Sequence, residues 1–197
     1  MPSELIITTD DGETLEAESA GPGDAHTAVV MCHPHPAYGG DMRVPVLNEL
    51  MAGLSSAGHG VLRFNFRSAG RSTGTHDGGG AERLDVEAAV ATARAQWAGA
   101  DLVLLGYSFG ADVSLAAPVD PSKRVLIAPP LRFGDVAPPA CPTLLLVPEH
   151  DQFSPPDRAR KVTAGWPDVT VEVLAGADHF LSGAIGPITR RTVDWLA

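Results

Sequence analysis

Residues 102–110 read Leu102-Val103-Leu104-Leu105-Gly106-Tyr107-Ser108-Phe109-Gly110, an apolar run that stops in a G-x-S-x-G pentapeptide. The run has the length and make-up of a strand buried on both faces, and Ala111-Asp112-Val113-Ser114-Leu115-Ala116 behind it is compatible with a helix. A serine hydroxyl is a poor nucleophile until a tight turn exposes it and a base takes its proton. Glycines on either side suit that turn, because its crowding leaves no room for a Cβ. The serine is therefore expected at a strand-to-helix corner, with its hydroxyl turned outward.

Reading outward from this corner, strands and helices alternate. Residues 5–9 and 14–19, around Asp10-Asp11-Gly12, predict a β-hairpin, and residues 20–26 a loop. Residues 28–32, Ala-Val-Val-Met-Cys, predict a second buried strand, followed by a loop to Gly40. Val46, Leu47, Leu50, Met51 and Leu54 recur with helical spacing between Pro45 and Gly58. A strand over 61–66, a glycine-rich loop over 70–80 and a helix over 81–97 come next, with Val86, Val90, Ala93 and Trp97 on one helix face. Beyond the serine corner the pattern predicts strands at 125–128, 143–147 and 169–174. Helices are expected at 155–166, with Ser154 as N-cap and Pro155 in its first position, and at 185–196. Such alternation builds βαβ units, so the fold class is α/β: one domain over residues 1–197, with a mostly parallel twisted sheet and helices on both faces.

A nucleophilic serine needs a base, a carboxylate to orient that base, and donors for the oxyanion. On a strand-to-helix corner of this kind the partners follow in the chain order Ser, Asp or Glu, His. The strand at 143–147 leads into Pro148-Glu149-His150-Asp151, and the strand at 169–174 leads into Ala175-Gly176-Ala177-Asp178-His179. Parallel strands end on the same side, which brings Ser108, Asp151 and His179 to one rim. His179 is expected to take the Ser108 proton and Asp151 to hold the other imidazole N–H. Glu149 and Asp178 are the rival carboxylates; Glu149 lies nearer its strand, and Asp178 adjoins His179 in sequence. One oxyanion donor is the Phe109 N–H, at the start of the helix. The other is expected in His33-Pro34-His35-Pro36; proline has no N–H, so His35 is the first choice there, with Ala37 and Tyr38 as fallbacks.

Composition narrows the function classes. The net charge of -10 over 197 residues, without a Lys/Arg cluster, speaks against nucleic acid as a partner. No apolar run is long enough to insert across a membrane, and the start of the chain does not read as a signal peptide, so the expected location is cytoplasmic. Cys32 and Cys141 show no C-x-x-C spacing and are expected as reduced, buried small hydrophobes. His33, His35 and His76 lack nearby carboxylates at metal-site spacing; no metal and no cofactor is called for. Gly78-Gly79-Gly80 has no phosphate-loop lysine and is expected as a flexible loop. Arg63 and Arg67, on a buried strand, are expected in ion pairs.

His33-Pro34-His35-Pro36-Ala37-Tyr38-Gly39-Gly40, Arg63-Phe64-Asn65-Phe66-Arg67, Gly106 to Gly110 and Gly176-Ala177-Asp178-His179-Phe180 resemble a small lidless branch of the α/β-hydrolase superfamily, similar to dienelactone hydrolases and small carboxylesterases. The likeness spans nearly the whole chain and implies a serine hydrolase with Ser108, Asp151 and His179 as triad. It implies no particular substrate. The nucleophile is Ser rather than the Cys of dienelactone hydrolases, which speaks against lactone cleavage, and Ser68 stands where the pattern usually has Gly. In this fold, caps are inserted between the strands read here at 125–128 and 143–147; residues 129–142 are too short and proline-rich for one. An open site for a small or exposed carboxylic ester or thioester follows, with Tyr38, Leu131, Phe133 and Phe153 as candidate walls. The alternative is a binding protein or scaffold that keeps the fold without turnover. As a base, His179 must be unprotonated, so activity is expected to fall at acid pH.

Overall fold

The computed structural model describes residues 2–132 and 137–197. Its described strands form one sheet in the order β1-β2-β4-β3-β5-β6-β7-β8. β1 (Ser3–Thr8) and β2 (Thr14–Ala20) make the expected hairpin, and β2 also runs antiparallel to β4 (Gly60–Phe64). From β4 through β3 (Thr27–Cys32), β5 (Asp101–Tyr107), β6 (Lys123–Ile127), β7 (Thr143–His150) and β8 (Val169–Asp178) every pairing is parallel.

The continuous apolar runs become two-sided cores because successive side chains leave a strand in opposite directions. Val29, Met31, Val103, Leu105, Val125, Ile127, Leu144 and Leu146 meet α1 (Pro45–Ser56) and α5 (Ile185–Leu196) on one face. Ala28, Val30, Cys32, Leu102 and Leu104 meet α2 (Glu82–Gln96) and α3 (Phe109–Ala116) on the other. Further along that second face, Leu126, Leu145 and Val147 pack with Ala111 and with Ala159 of α4 (Pro156–Thr163). No cap domain interrupts the β6–β7 connection, and among the described residues no helix is long and apolar enough to cross a membrane.

The structure corrects some boundaries. β4 stops at Phe64 rather than at 66, because the Phe66 N–H donates to the His33 ring (2.9 Å) instead of to a neighbouring strand. β8 continues to Asp178, four residues beyond the expected end, so His179 follows the strand directly. Ser154 is not an N-cap. α4 begins one residue later than expected, at Pro156, with Pro155 in the cap position, and the Ser154 hydroxyl meets no hydrogen-bond partner. Cys32 is buried, but Cys141 is only half-buried; both are free thiols.

The expected ion pairs hold the hairpin side together. Arg67 spans from Asp85 of α2 (2.7 Å) to Asp11 in the hairpin turn (2.9 Å), and the Asp85 carboxylate also accepts the Arg67 N–H (2.9 Å). Arg63 donates twice to Glu18 of β2, which also receives Arg43 (2.6 Å). Asp85 is fully buried, so deleting its partner strands a charge without water. Arg67→Leu is expected to cost about 3–5 kcal/mol in urea unfolding. Arg67→Leu/Asp85→Leu should recover much of the loss; a double variant no more stable than the single one would contradict this account.

Candidate active site

The elbow is built from close contacts. Ser108 has φ 53° and ψ -120°, a backbone conformation that side chains rarely adopt, and its N–H is pinned to the Ile127 carbonyl (2.9 Å). A Cβ on Gly106 would lie 2.4 Å from the Ala111 Cα, and one on Gly110 would lie 2.3 Å from the Cys32 carbonyl oxygen. Both glycines are therefore steric requirements, the second because β3 and the helix behind the serine touch backbone to backbone.

Ser108, Asp151 and His179 converge as the chain order implied. The Ser108 Oγ lies 2.9 Å from His179 Nε2, and His179 Nδ1 lies 2.8 Å from Asp151 Oδ2. Asp151 is buried, and its second oxygen accepts the N–H groups of Phe153 (2.7 Å) and Ser154 (3.0 Å). Burial alone would raise this carboxyl; the hydrogen bonds from His179 and those two N–H groups outweigh it and hold Asp151 below its ordinary value. Since an ionised carboxylate only accepts, Nδ1 carries the imidazole proton and Nε2 presents a lone pair to the serine. Tyr107 fixes the base from behind by donating its hydroxyl to the His179 carbonyl (2.9 Å).

The rival carboxylates are engaged elsewhere. Glu149 accepts the Gly176 N–H (2.7 Å), bracing the ends of β7 and β8, and Asp178 accepts the Phe180 N–H (3.0 Å) in the turn after the histidine.

At the oxyanion side, the Phe109 N–H opens α3 and the His35 N–H lies in the loop after β3; among the described residues neither meets an acceptor. The loop is shaped around a short 3-10 turn at Pro36–Tyr38, with the Tyr38 and Gly40 N–H groups both on the His35 carbonyl (3.1 Å each) and the Ala37 N–H on the His35 ring (3.2 Å). Ala37 and Tyr38, the fallback donors, are thereby occupied.

His33 sets this loop, a role the sequence did not reveal. Its ring is buried; Nε2 accepts the Phe66 N–H (2.9 Å) and Nδ1 faces the Pro34 carbonyl oxygen (2.6 Å). A fixed donor on one side and a fixed acceptor on the other demand the neutral Nδ1–H tautomer. Asp112, one turn after the serine, is likewise buried and accepts the Leu131 (2.8 Å) and Arg132 (3.2 Å) N–H groups, tying the β6–β7 connection to the nucleophile's helix.

The candidate walls divide. Tyr38 is 87 % exposed and leans on the His35 ring at 4.7 Å; Phe153, about half exposed, sits edge-on to His179 at 4.5 Å. Phe180, 69 % exposed and not foreseen, flanks His179 at 5.9 Å. Leu131 is buried with Leu145, Val147 and Ala159 and acts as packing, and Phe133 lies outside the described residues. The glycines at 78–80 are held more firmly than a flexible loop would be: Asp77 accepts the Gly80 (2.9 Å) and Ala81 N–H groups at the head of α2. No metal-binding cluster of His, Cys, Asp and Glu occurs among the described residues.

Comparison with known proteins places this geometry. No family model matches the chain. A structure from Xanthomonas campestris, a member of the α/β serine hydrolases without a lid, is 31% identical, with 96% of this chain and 94% of that one aligned at a TM-score of 0.82. The chain belongs to the lidless α/β serine hydrolases. An α/β serine hydrolase homologue from Coxiella burnetii aligns with a TM-score of 0.90 at 28% identity over 99% of this chain and 97% of its own. An uncharacterised Rickettsia prowazekii protein is 28% identical, covering 88% of this chain and 79% of that protein. The Xanthomonas and Coxiella structures support hydrolase chemistry for this lidless hydrolase in general.

The tautomer of His33 generates a pH prediction. Burial, the dominant influence, lowers its pKa from 6.5 to about 4, against the smaller opposing pull of the Pro34 carbonyl. Between those values the unfolded chain binds a proton that the folded protein refuses, so this contribution to stability, on the order of 3 kcal/mol, is present above pH 6.5 and lost as pH falls towards 4. His33→Gln, which does not titrate, should flatten the fall in urea midpoint between pH 7 and 4.5. Parallel pH dependences for the two proteins would refute the assignment.

Proposed function

We propose that the protein hydrolyses a carboxylic ester or thioester through an acyl-enzyme, with Ser108 as nucleophile, His179 as base and Asp151 as its orienting carboxylate. The observation that carries this reading is the unbroken relay from Ser108 Oγ to His179 Nε2 (2.9 Å) and from His179 Nδ1 to Asp151 (2.8 Å). The Ser108 oxygen attacks the acyl carbon while its proton passes to Nε2. The negative charge that develops on the carbonyl oxygen is met by the Phe109 and His35 N–H groups. Collapse breaks the bond to the alcohol or thiol, which leaves with the proton returned from Nε2. A water, deprotonated by the same nitrogen, then attacks the acyl carbon, releases the acid and restores the serine.

The open mouth favours small or exposed substrates. No cap covers it, and the exposed rings of Tyr38 and Phe153 provide shallow apolar walls. A series of p-nitrophenyl esters should accordingly show kcat/KM highest for short acyl chains, without continued gain on lengthening.

A fluorophosphonate probe should label the protein at Ser108, and Ser108→Ala should abolish labelling while unfolding near the wild-type midpoint. Equal labelling of Ser108→Ala, or none of the folded wild type, would end this reading and favour a non-enzymatic role. Asp151→Asn should lower kcat by about 10³–10⁴-fold, because the amide can stabilise the wrong imidazole tautomer.

A further inference from the structure

Two imidazoles gather round the ring of Phe109, next to the nucleophile in sequence, and Arg132 is tied to Asp112 one turn along the same helix. The His35 ring lies 4.8 Å and the His76 ring 5.2 Å from that of Phe109, and the two imidazoles contact each other at 4.4 Å. The Arg132 backbone N–H donates to Asp112 (3.2 Å), and its side chain, 54% exposed, reaches the same carboxylate at 3.6 Å.

His35 and Arg132 contribute unfilled donors, and His76 does so as the imidazolium partner of Glu82. His35 accepts the Ala37 N–H on Nδ1, so the neutral ring carries its hydrogen on Nε2, and no described residue accepts it. Burial, reinforced by the neighbouring His76 and Arg132, lowers the pKa of His35 and favours that neutral form. His76 Nδ1 lies 2.5 Å from Oε1 of the buried Glu82, an ion contact rather than a well-aligned hydrogen bond, and its Nε2 has no partner among the described residues. Arg132 Nε lies 3.6 Å from Asp112, and neither Nη group makes a hydrogen bond to a described residue.

The nearby carboxylates already have other duties. Glu82 accepts the Gly79 N–H (2.8 Å), Asp77 accepts the Gly80 N–H (2.9 Å), and Asp112 holds the Leu131 and Arg132 N–H groups. A patch beside the nucleophile that offers N–H donors while the neighbouring described carboxylates are engaged, in a chain of net charge -10, is matched by an acceptor-rich anion.

We propose that His35, His76 and Arg132 form a carboxylate-binding subsite, so that the preferred substrates are esters carrying a second, free carboxylate. This rests on the hydrolase reading above, and it adds a specificity that the triad does not supply. The carboxylate would take the Arg132 Nη donors, the His35 Nε2–H and, with His76 as the imidazolium partner of the Glu82 carboxylate, the His76 Nε2–H.

The test compares kcat/KM for mono-p-nitrophenyl glutarate with that for the neutral p-nitrophenyl valerate. A ratio above about tenfold, falling towards one in both Arg132→Gln and His76→Gln and shrinking with added salt, is the expected result. A ratio near or below one in the wild type, or a high ratio unchanged in both variants, would overturn the subsite. A second measurement does not depend on turnover: titrating glutarate, with glutaramide as the neutral control, while following the imidazole NMR signals of His35 and His76. Saturable shifts with glutarate alone, in a protein that cleaves no ester, would keep the subsite and remove the hydrolase reading. No shift with glutarate, with or without ester cleavage, would remove the subsite.

Discussion

The backbone contact between β3 and the start of α3 governs the geometry of the whole site. With Gly110 pressed against the Cys32 and His33 carbonyls, the loop that leaves β3 must turn across the head of α3. That turn carries His35 to the ring of Phe109, so the two proposed oxyanion donors come from segments about 75 residues apart in sequence yet adjacent in space. The strained Ser108 backbone, a local cost of about 1–3 kcal/mol, persists because the sheet on one side and α3 on the other leave it no alternative.

Much of this was readable in the chain. Uninterrupted aliphatic runs at 28–32, 102–105 and 143–147 announced strands covered on both faces, and the order Ser108, Asp151, His179 matched their C-terminal ends. Asp151 was separable from Glu149 and Asp178 only by chain order; the structure separates them physically, since the other two carboxylates are occupied by Gly176 and Phe180 N–H groups. What escaped the sequence are groups whose roles depend on partners far along the chain. His33 looks like any loop histidine until Phe66, 33 residues away, supplies the N–H that fixes its tautomer. Asp112 looks like a solvent-facing helix residue until the 131–132 backbone arrives to fill it. Ser154 misled because two prolines after it moved the helix start along by a residue, turning its N–H into a ligand for Asp151.

The two sides of the nucleophile differ in kind. Towards His179 lie exposed aromatic rings and a carboxylate that is engaged by the base on one oxygen and by the N–H groups of its own loop on the other. Towards His35 lie two imidazoles against a packed aromatic cluster of Phe64, Phe66 and Phe109, with Arg132 held at Asp112 one turn along the helix. In the proposed mechanism, such a division gives proton transfer to one half of the site and the sorting of substrates by charge to the other.

The strand order has a consequence for how the molecule is made. β2 pairs with β4, not with β3, so the N-terminal hairpin has no parent sheet until residues 60–64 exist, and Arg67 cannot close its bond to Asp85 until α2 follows. On a ribosome adding about 5–20 residues per second, the edge of β2 that will face β4 waits several seconds for its neighbour. That edge places Glu16 and Glu18 among its residues, and their mutual repulsion before Arg43 and Arg63 emerge discourages two nascent hairpins from zipping together.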